Sequence, residues 1–277
     1  MFADDTNLFF TGPDVMKLYE TINIELLKIS HWFTINKLSL NITKTNYIIF
    51  NPRTKYHISN DHDIFLNKEK IERVHIIKFL GVIINSNLTW ADHIKTISTK
   101  ISKSLGIIYR IRNKLPRSSV VNLYNTLIHP YLTYCNIIWA TENTTCIKTL
   151  QSLQKKTLRI ITFASYNSHS SPLFKKHCIL NICDINKVQT VCFIYKFFHQ
   201  SLPPQFADLF TCNSLIHDHN TRQTHKIHIS SHRISMRANS IAIYGAKLWN
   251  SLSLELTSSP SLAIFKRRFK YYLLESY

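Results

Sequence analysis

Phe2-Ala3-Asp4-Asp5, continued by Thr6-Asn7-Leu8-Phe9-Phe10, is the stretch on which the fold turns. Apolar residues flank a polar centre, so it reads as a strand, a tight turn and a second strand. Two adjacent carboxylates on such a turn suit a hard divalent cation, because Mg²⁺ prefers oxygen ligands and usually takes one or two protein carboxylates. Asp pairs in turns also serve backbone hydrogen bonding, so the pair alone leaves a metal site and an ordinary turn both open.

Working outward, Gly12-Pro13-Asp14 opens a helix with Pro at its first position and an acid in its first turn, and Ile22, Leu26, Ile29 and Phe33 form its apolar stripe. Short strand-like runs follow at Leu38–Asn41 and Thr45–Phe50, hinged at Thr43-Lys44, and again at Phe65-Leu66, Ile71–Val74 and Ile76–Ile84 around Gly81. From Trp90 the period changes. Ile94, Ile97, Ile101, Leu105 and Ile108 mark one face of a long helix that Pro116 ends, with Lys95, Lys100, Lys103, Arg110 and Arg112 mostly elsewhere on it. Further helices are predicted from Ser118 or Ser119 through Tyr131 with a kink at Pro130, over Cys146–Phe163 with Gln154, Lys155, Lys156 and Arg159 exposed, over Ile185–His199, and after Ser259-Pro260. Residues 211–235 read as a polar linker. The fold class is α+β, with a boundary near residue 90.

Composition bounds the function. Across 277 residues, hydrophobic side chains make up 45%, enough for a packed interior and too much for a disordered chain. The net charge of +18 is lopsided: residues 1–100 carry 12 basic and 10 acidic side chains, and residues 101–277 carry 22 and 6. A field of that sign attracts polyanions, although A/T-rich coding bias would also enrich Lys. Six cysteines without a repeated spacing do not form a disulfide framework, so reduced thiols in a cytoplasmic or nuclear, soluble protein are expected. No apolar run approaches the ~18 residues of a membrane span, and no membrane partner is expected.

The landmarks gain meaning in order. The aromatic-Ala-Asp-Asp hairpin at Phe2–Asp5 resembles motif C of reverse transcriptases. Asn36-Lys37-Leu38-Ser39-Leu40-Asn41-Ile42-Thr43-Lys44-Thr45 is similar to the motif-D stretch of LINE-type (non-LTR) retrotransposon enzymes, and Lys78-Phe79-Leu80-Gly81-Val82 to motif E, the primer grip. Leu88-Thr89-Trp90 with its basic helix resembles the thumb of jockey-like elements, and His219–Arg222 and Tyr244–Asn250 resemble the region after it. The resemblance implies a palm remnant over 1–89, a thumb-like helical domain over 90–165 and a helical C-terminal region over 166–277. It implies Asp4 and Asp5 as Mg²⁺ ligands and Lys44 as an acid for departing pyrophosphate. Phe79, Leu80 and Gly81 would lie against the primer end, and Lys95, Lys100, Lys103, Arg110 and Arg112 would track duplex phosphates. The partners implied are an RNA template and DNA primer, or the RNA/DNA hybrid they form; no protein partner is inferable.

The same resemblance implies a departure. The family uses a third metal-binding aspartate on an earlier strand, together with fingers, and Met1 directly precedes the hairpin here. The expectation is a partial RNA-directed DNA polymerase, inactive alone. The alternative is a non-catalytic basic module that binds RNA or DNA. A degenerate relic is a third reading. His217, His219, His225, His228 and His232 raise zinc, but only Cys212 is near and the spacing fits no common knuckle, so a polar loop is the reading taken and zinc is not expected.

Overall fold

The computed structural model describes residues 6–50, 63–141, 145–216 and 226–277. The chain divides into two compact units, Met1–His93 and Ile94–Tyr277.

In the first unit, α1 (Val15–Ile35) begins at Asp14, whose Oδ1 accepts from the Met16 N–H at 2.8 Å. Asp14 is therefore the N-cap, so Pro13 precedes the helix rather than opening it. Tyr19 and Leu26 of α1 are buried with Ile64, Leu66 and Ile71, and Tyr47 and Ile49 pack beside them. Asn23 ties the helix to the next layer: its Nδ2 donates to the Asp63 carbonyl at 3.2 Å and its Oδ1 accepts from the Phe65 N–H at 2.9 Å.

Three two-stranded ladders complete the unit. β1 (Asn46–Tyr47) pairs in parallel with β4 (Glu72–Arg73), β2 (Phe65–Leu66) antiparallel with β3 (Glu69–Lys70), and β5 (Ile76–Phe79) antiparallel with β6 (Val82–Asn85). The predicted strand at Leu38–Asn41 is absent. Asn41 instead caps a single 3₁₀ turn, Ile42–Lys44, its side chain accepting from the Lys44 N–H at 3.2 Å and the Thr43 hydroxyl at 2.7 Å. An Asx side chain that bonds its own backbone competes with a strand ladder, and here it wins. Residues 6–12 likewise carry no strand; the first arm of the predicted hairpin, with Asp4 and Asp5, lies outside the described residues.

In the second unit the helices run on from α2 (Ala91–Ile111), with α3 (Arg117–Leu127), α4 (His129–Thr133), α5 (Asn136–Trp139), α6 (Thr145–Thr162), α7 (Ser170–Lys176) and α8 (Ile182–Phe198). After α8 come α9 (Ser235–Ala238), a π-helical turn Ile241–Gly245 leading into α10 (Ala246–Asn250), α11 (Leu254–Thr257) and α12 (Leu262–Glu275). With these helices and the six short strands among the described residues the chain is α+β, as its period pattern predicts. Pro130 starts α4 rather than kinking a longer helix, because the preceding Ile128 leaves helical geometry and Pro is tolerated in a first turn. Ser261, not Ser259, caps α12, accepting from the Ile264 N–H at 3.4 Å.

α8 is the buried strut of this unit, with Ile182, Ile185, Val188, Val191 and Ile194 all inside. α12 lies along it, Tyr195 and Phe265 stacking at 4.9 Å between ring centroids. The predicted linker is anchored at Ile227: both backbone polar groups of this buried residue pair with the Asn250 amide, at 3.0 and 2.8 Å. All six cysteines are free. Among the described residues no helix is long and apolar enough to cross a membrane.

Candidate nucleic-acid interface

α2 forms because its apolar residues recur at helical spacing, and the structure buries that stripe: Ile94, Ile97, Ile101, Leu105 and Ile108 are all within 5% exposure. The opposite face is a row. Lys95, Thr99, Ser102, Lys103, Gly106 and Arg110 are exposed at i, i+4, i+7, i+8, i+11 and i+15. At about 1.5 Å per residue, the three cations span about 22 Å, some six base-pair steps of about 3.4 Å. Between them Thr99, Ser102 and Gly106 are small, and Ile107 and Tyr109 are exposed at the row's edges. A Cβ added at Gly106 would meet nothing within 4 Å, so its packing does not explain that glycine, and the helix is flattest midway between Lys103 and Arg110.

Lys100 sits on the flank, its ammonium 5.5 Å from the centroid of the Tyr131 ring on α4. Arg112 has a different task from the other four. It is half-buried, its Nη1 donates to the Ile160 carbonyl at 3.1 Å, and its guanidinium lies over the Tyr109 and Phe163 rings at 4.7 and 5.2 Å. Arg117 covers the same Phe163 ring at 5.5 Å. Sequence reading grouped Arg112 with the row, and charge alone does not show that its guanidinium also meets a neighbouring helix.

In the first unit, β5 and β6 are joined by Leu80-Gly81 at φ 45° and 86°. Both central residues lie in the left-handed region that a type I′ hairpin demands. Gly81 takes it freely, whereas a leucine there is strained, because Cβ crowds its own backbone. The hairpin's far end is fastened by Asn85, whose amide contacts Thr89 at 2.6 Å and Asp92 at 2.9 Å. Phe79 meets the Phe9 ring edge-on at 6.5 Å, so Phe9 lies beside the turn end of the hairpin. Sequence reading did not anticipate Phe9 in this role. Lys44 is exposed at the end of the 3₁₀ turn locked by Asn41.

Leu80→Asn is expected to raise stability by about 1 kcal/mol, since Asn tolerates left-handed backbone at small cost. A higher urea midpoint for the first unit's transition checks it, and an unchanged or lower midpoint refutes the strain at Leu80.

Among the described residues no group of three or more His, Cys, Asp or Glu side chains could hold a metal ion. Asp4, Asp5, His217, His219 and His225 lie outside the described residues.

Comparison with known proteins supplies the context for this geometry. The chain is 23% identical over 190 residues, 67% of its length, to a probable RNA-directed DNA polymerase from the transposon X-element of Drosophila melanogaster. It is 24% identical over 206 residues, 73% of its length, to the RNA-directed DNA polymerase from the mobile element jockey of Drosophila funebris. Against the jockey enzyme of Drosophila melanogaster it is 25% identical over 169 residues, 60% of its length. The chain spans about a fifth of the length of these curated relatives. No family model and no solved structure matches it. Similarity to three such polymerases, over most of a chain whose motifs fall in the expected order, relates it to the LINE-type reverse transcriptases of jockey and X-element mobile elements.

Proposed function

We propose that this chain is a reverse-transcriptase region that holds an RNA template paired with its DNA primer. The observation that carries the reading is the exposed cation row of α2, Lys95, Lys103 and Arg110, on a helix whose other face is buried. A straight row of cations on a rigid helix matches the regular charge of a duplex backbone and needs no particular sequence in it. In this reading residues 1–89 are the later part of a palm, α2 to α6 a thumb, and Leu80-Gly81 the tip that meets the primer end. Lys44, on its capped turn, is the proposed acid for departing pyrophosphate. Asp4 and Asp5 are the proposed Mg²⁺ ligands.

The test uses the full chain with a labelled RNA/DNA hybrid. The expected result is salt-dependent binding, and unchanged affinity after joint Asp4→Ala and Asp5→Ala substitution. Failure to bind the hybrid would refute the reading. Mg²⁺-dependent extension that the double substitution abolishes would add the proposed metal role of Asp4 and Asp5 to the holding role.

A further inference from the structure

Residues 94–277 carry 24 Lys and Arg against 6 Asp and Glu, and the α2 row accounts for only part of that excess. A second concentration forms where α4, α8 and α12 meet. α8 presents Gln189, Cys192 and Lys196 on one face, at i, i+3 and i+7. That face lies against α4, for the Gln189 amide donates to the Thr133 carbonyl at 2.9 Å. His129, the first residue of α4, is partly buried, with its ring 6.2 Å from that of Tyr124 on α3. α12 packs on α8 through Phe265, and Lys266 and Lys270 sit one turn apart beside its buried stripe of Phe265, Phe269 and Leu273.

The electrostatics show that these groups share one neighbourhood. Burial, then Lys270 and Lys266, hold the His129 imidazole below the ordinary histidine range. Burial pushes the Cys192 thiol up to about 11, while Lys266 and Lys196 pull against it. Among the described residues no carboxylate acts on either group, and none forms an ion pair with Lys196, Lys266 or Lys270. Like charges gathered without a counter-charge repel one another. An anion seated among them removes that repulsion.

α4 also connects this cluster to α2. Two residues beyond His129 stands Tyr131, whose ring lies beneath the Lys100 ammonium. Lys100 therefore meets α4 at Tyr131 and the cluster meets it at His129, both within the second unit.

We propose that His129, Lys196, Lys266 and Lys270 form a phosphate site for a single nucleic-acid strand, one that leaves a hybrid held on α2 and crosses α4. This rests on the proposed hybrid-holding role, and the test separates the two. The full chain is titrated with a blunt RNA/DNA hybrid and with the same hybrid bearing a single-stranded RNA overhang. The expected result is that the overhang tightens binding by about tenfold, roughly what one or two additional phosphate contacts supply. Joint Lys266→Gln and Lys270→Gln substitution, on exposed or half-exposed positions that the fold tolerates, should erase the gain and leave blunt-hybrid affinity within twofold. His129→Gln should erase part of it. An overhang that gives no gain, or a gain that survives the double substitution, overturns the proposal. A double substitution that leaves the gain intact but abolishes binding to phosphatidylserine vesicles would assign the cluster to anionic lipid, and would overturn it equally. Failure of the blunt hybrid alone would count against the role of α2, since the cluster is read from the overhang's increment.

Discussion

Joint replacement of Lys95, Lys103 and Arg110 by Gln is expected to weaken blunt-hybrid binding by about 100-fold at 0.1 M salt and to flatten its salt dependence. Each phosphate contact releases counterions and contributes about 0.9 to the slope of log affinity against log salt, so three lost contacts should lower it by about 2.7. The three residues are exposed and opposite the buried stripe of Ile94, Ile97, Ile101, Leu105 and Ile108, so the substitutions leave the packing of α2 untouched. Arg112 supplies the internal control. It belongs to the same run of basic residues, yet its guanidinium is committed to the Ile160 carbonyl and to the Tyr109 and Phe163 rings. Arg112→Gln should therefore lower the thermal midpoint and leave the salt slope of the folded protein unchanged. If the triple substitution keeps the full slope, or Arg112→Gln changes the slope as much as Lys103→Gln does, the row is not the interface.

The contrast between Arg112 and its neighbours marks how far sequence alone reaches. Periodicity placed the buried stripe of α2, because it follows from where apolar residues recur along a 3.6-residue turn. Gly81 pointed to the β5–β6 hairpin, because a tight turn with left-handed backbone favours glycine. Polar side chains whose role is fixed by a distant partner were illegible. Gln154, between Leu153 and Lys155, reads as surface and is 1% exposed. Asn250 closes the stretch that resembles the region after the thumb, and it holds Ile227, 23 positions away. Asn41 looked like the end of a strand and caps a turn instead. The cluster at His129 is spread over 142 residues of sequence, so no local pattern announces it. The candidate palm carboxylates were the reverse case: Asp4 and Asp5 were the clearest sequence signal and lie outside the described residues.

Gln154→Leu is expected to cost about 4 kcal/mol, a large fraction of the 5–15 kcal/mol that typically holds a domain together. The amide is a junction of three segments. Its Nε2 donates to the Tyr124 hydroxyl on α3 and to the Leu180 carbonyl, and its Oε1 accepts from the Ile182 N–H, each at 2.9 Å. Ile182 is the first residue of α8, so that N–H is one of the orphans every helix start must satisfy. Leucine fills nearly the same volume but strands three buried polar groups, and each costs about 1–3 kcal/mol when unpaired. Tyr124→Phe is the telling partner. Burial holds the Tyr124 phenol up to about 12, so it is neutral throughout the physiological range, and its removal deletes one bond together with the group that needed it. That change should cost about 1 kcal/mol on its own and less in the Gln154→Leu background, where the bond is already gone. Urea midpoints of the two single variants and the double variant give the cycle. A cost below about 1 kcal/mol for Gln154→Leu, or strict additivity with Tyr124→Phe, would mean that the helices carrying both basic surfaces are held together by apolar contact alone.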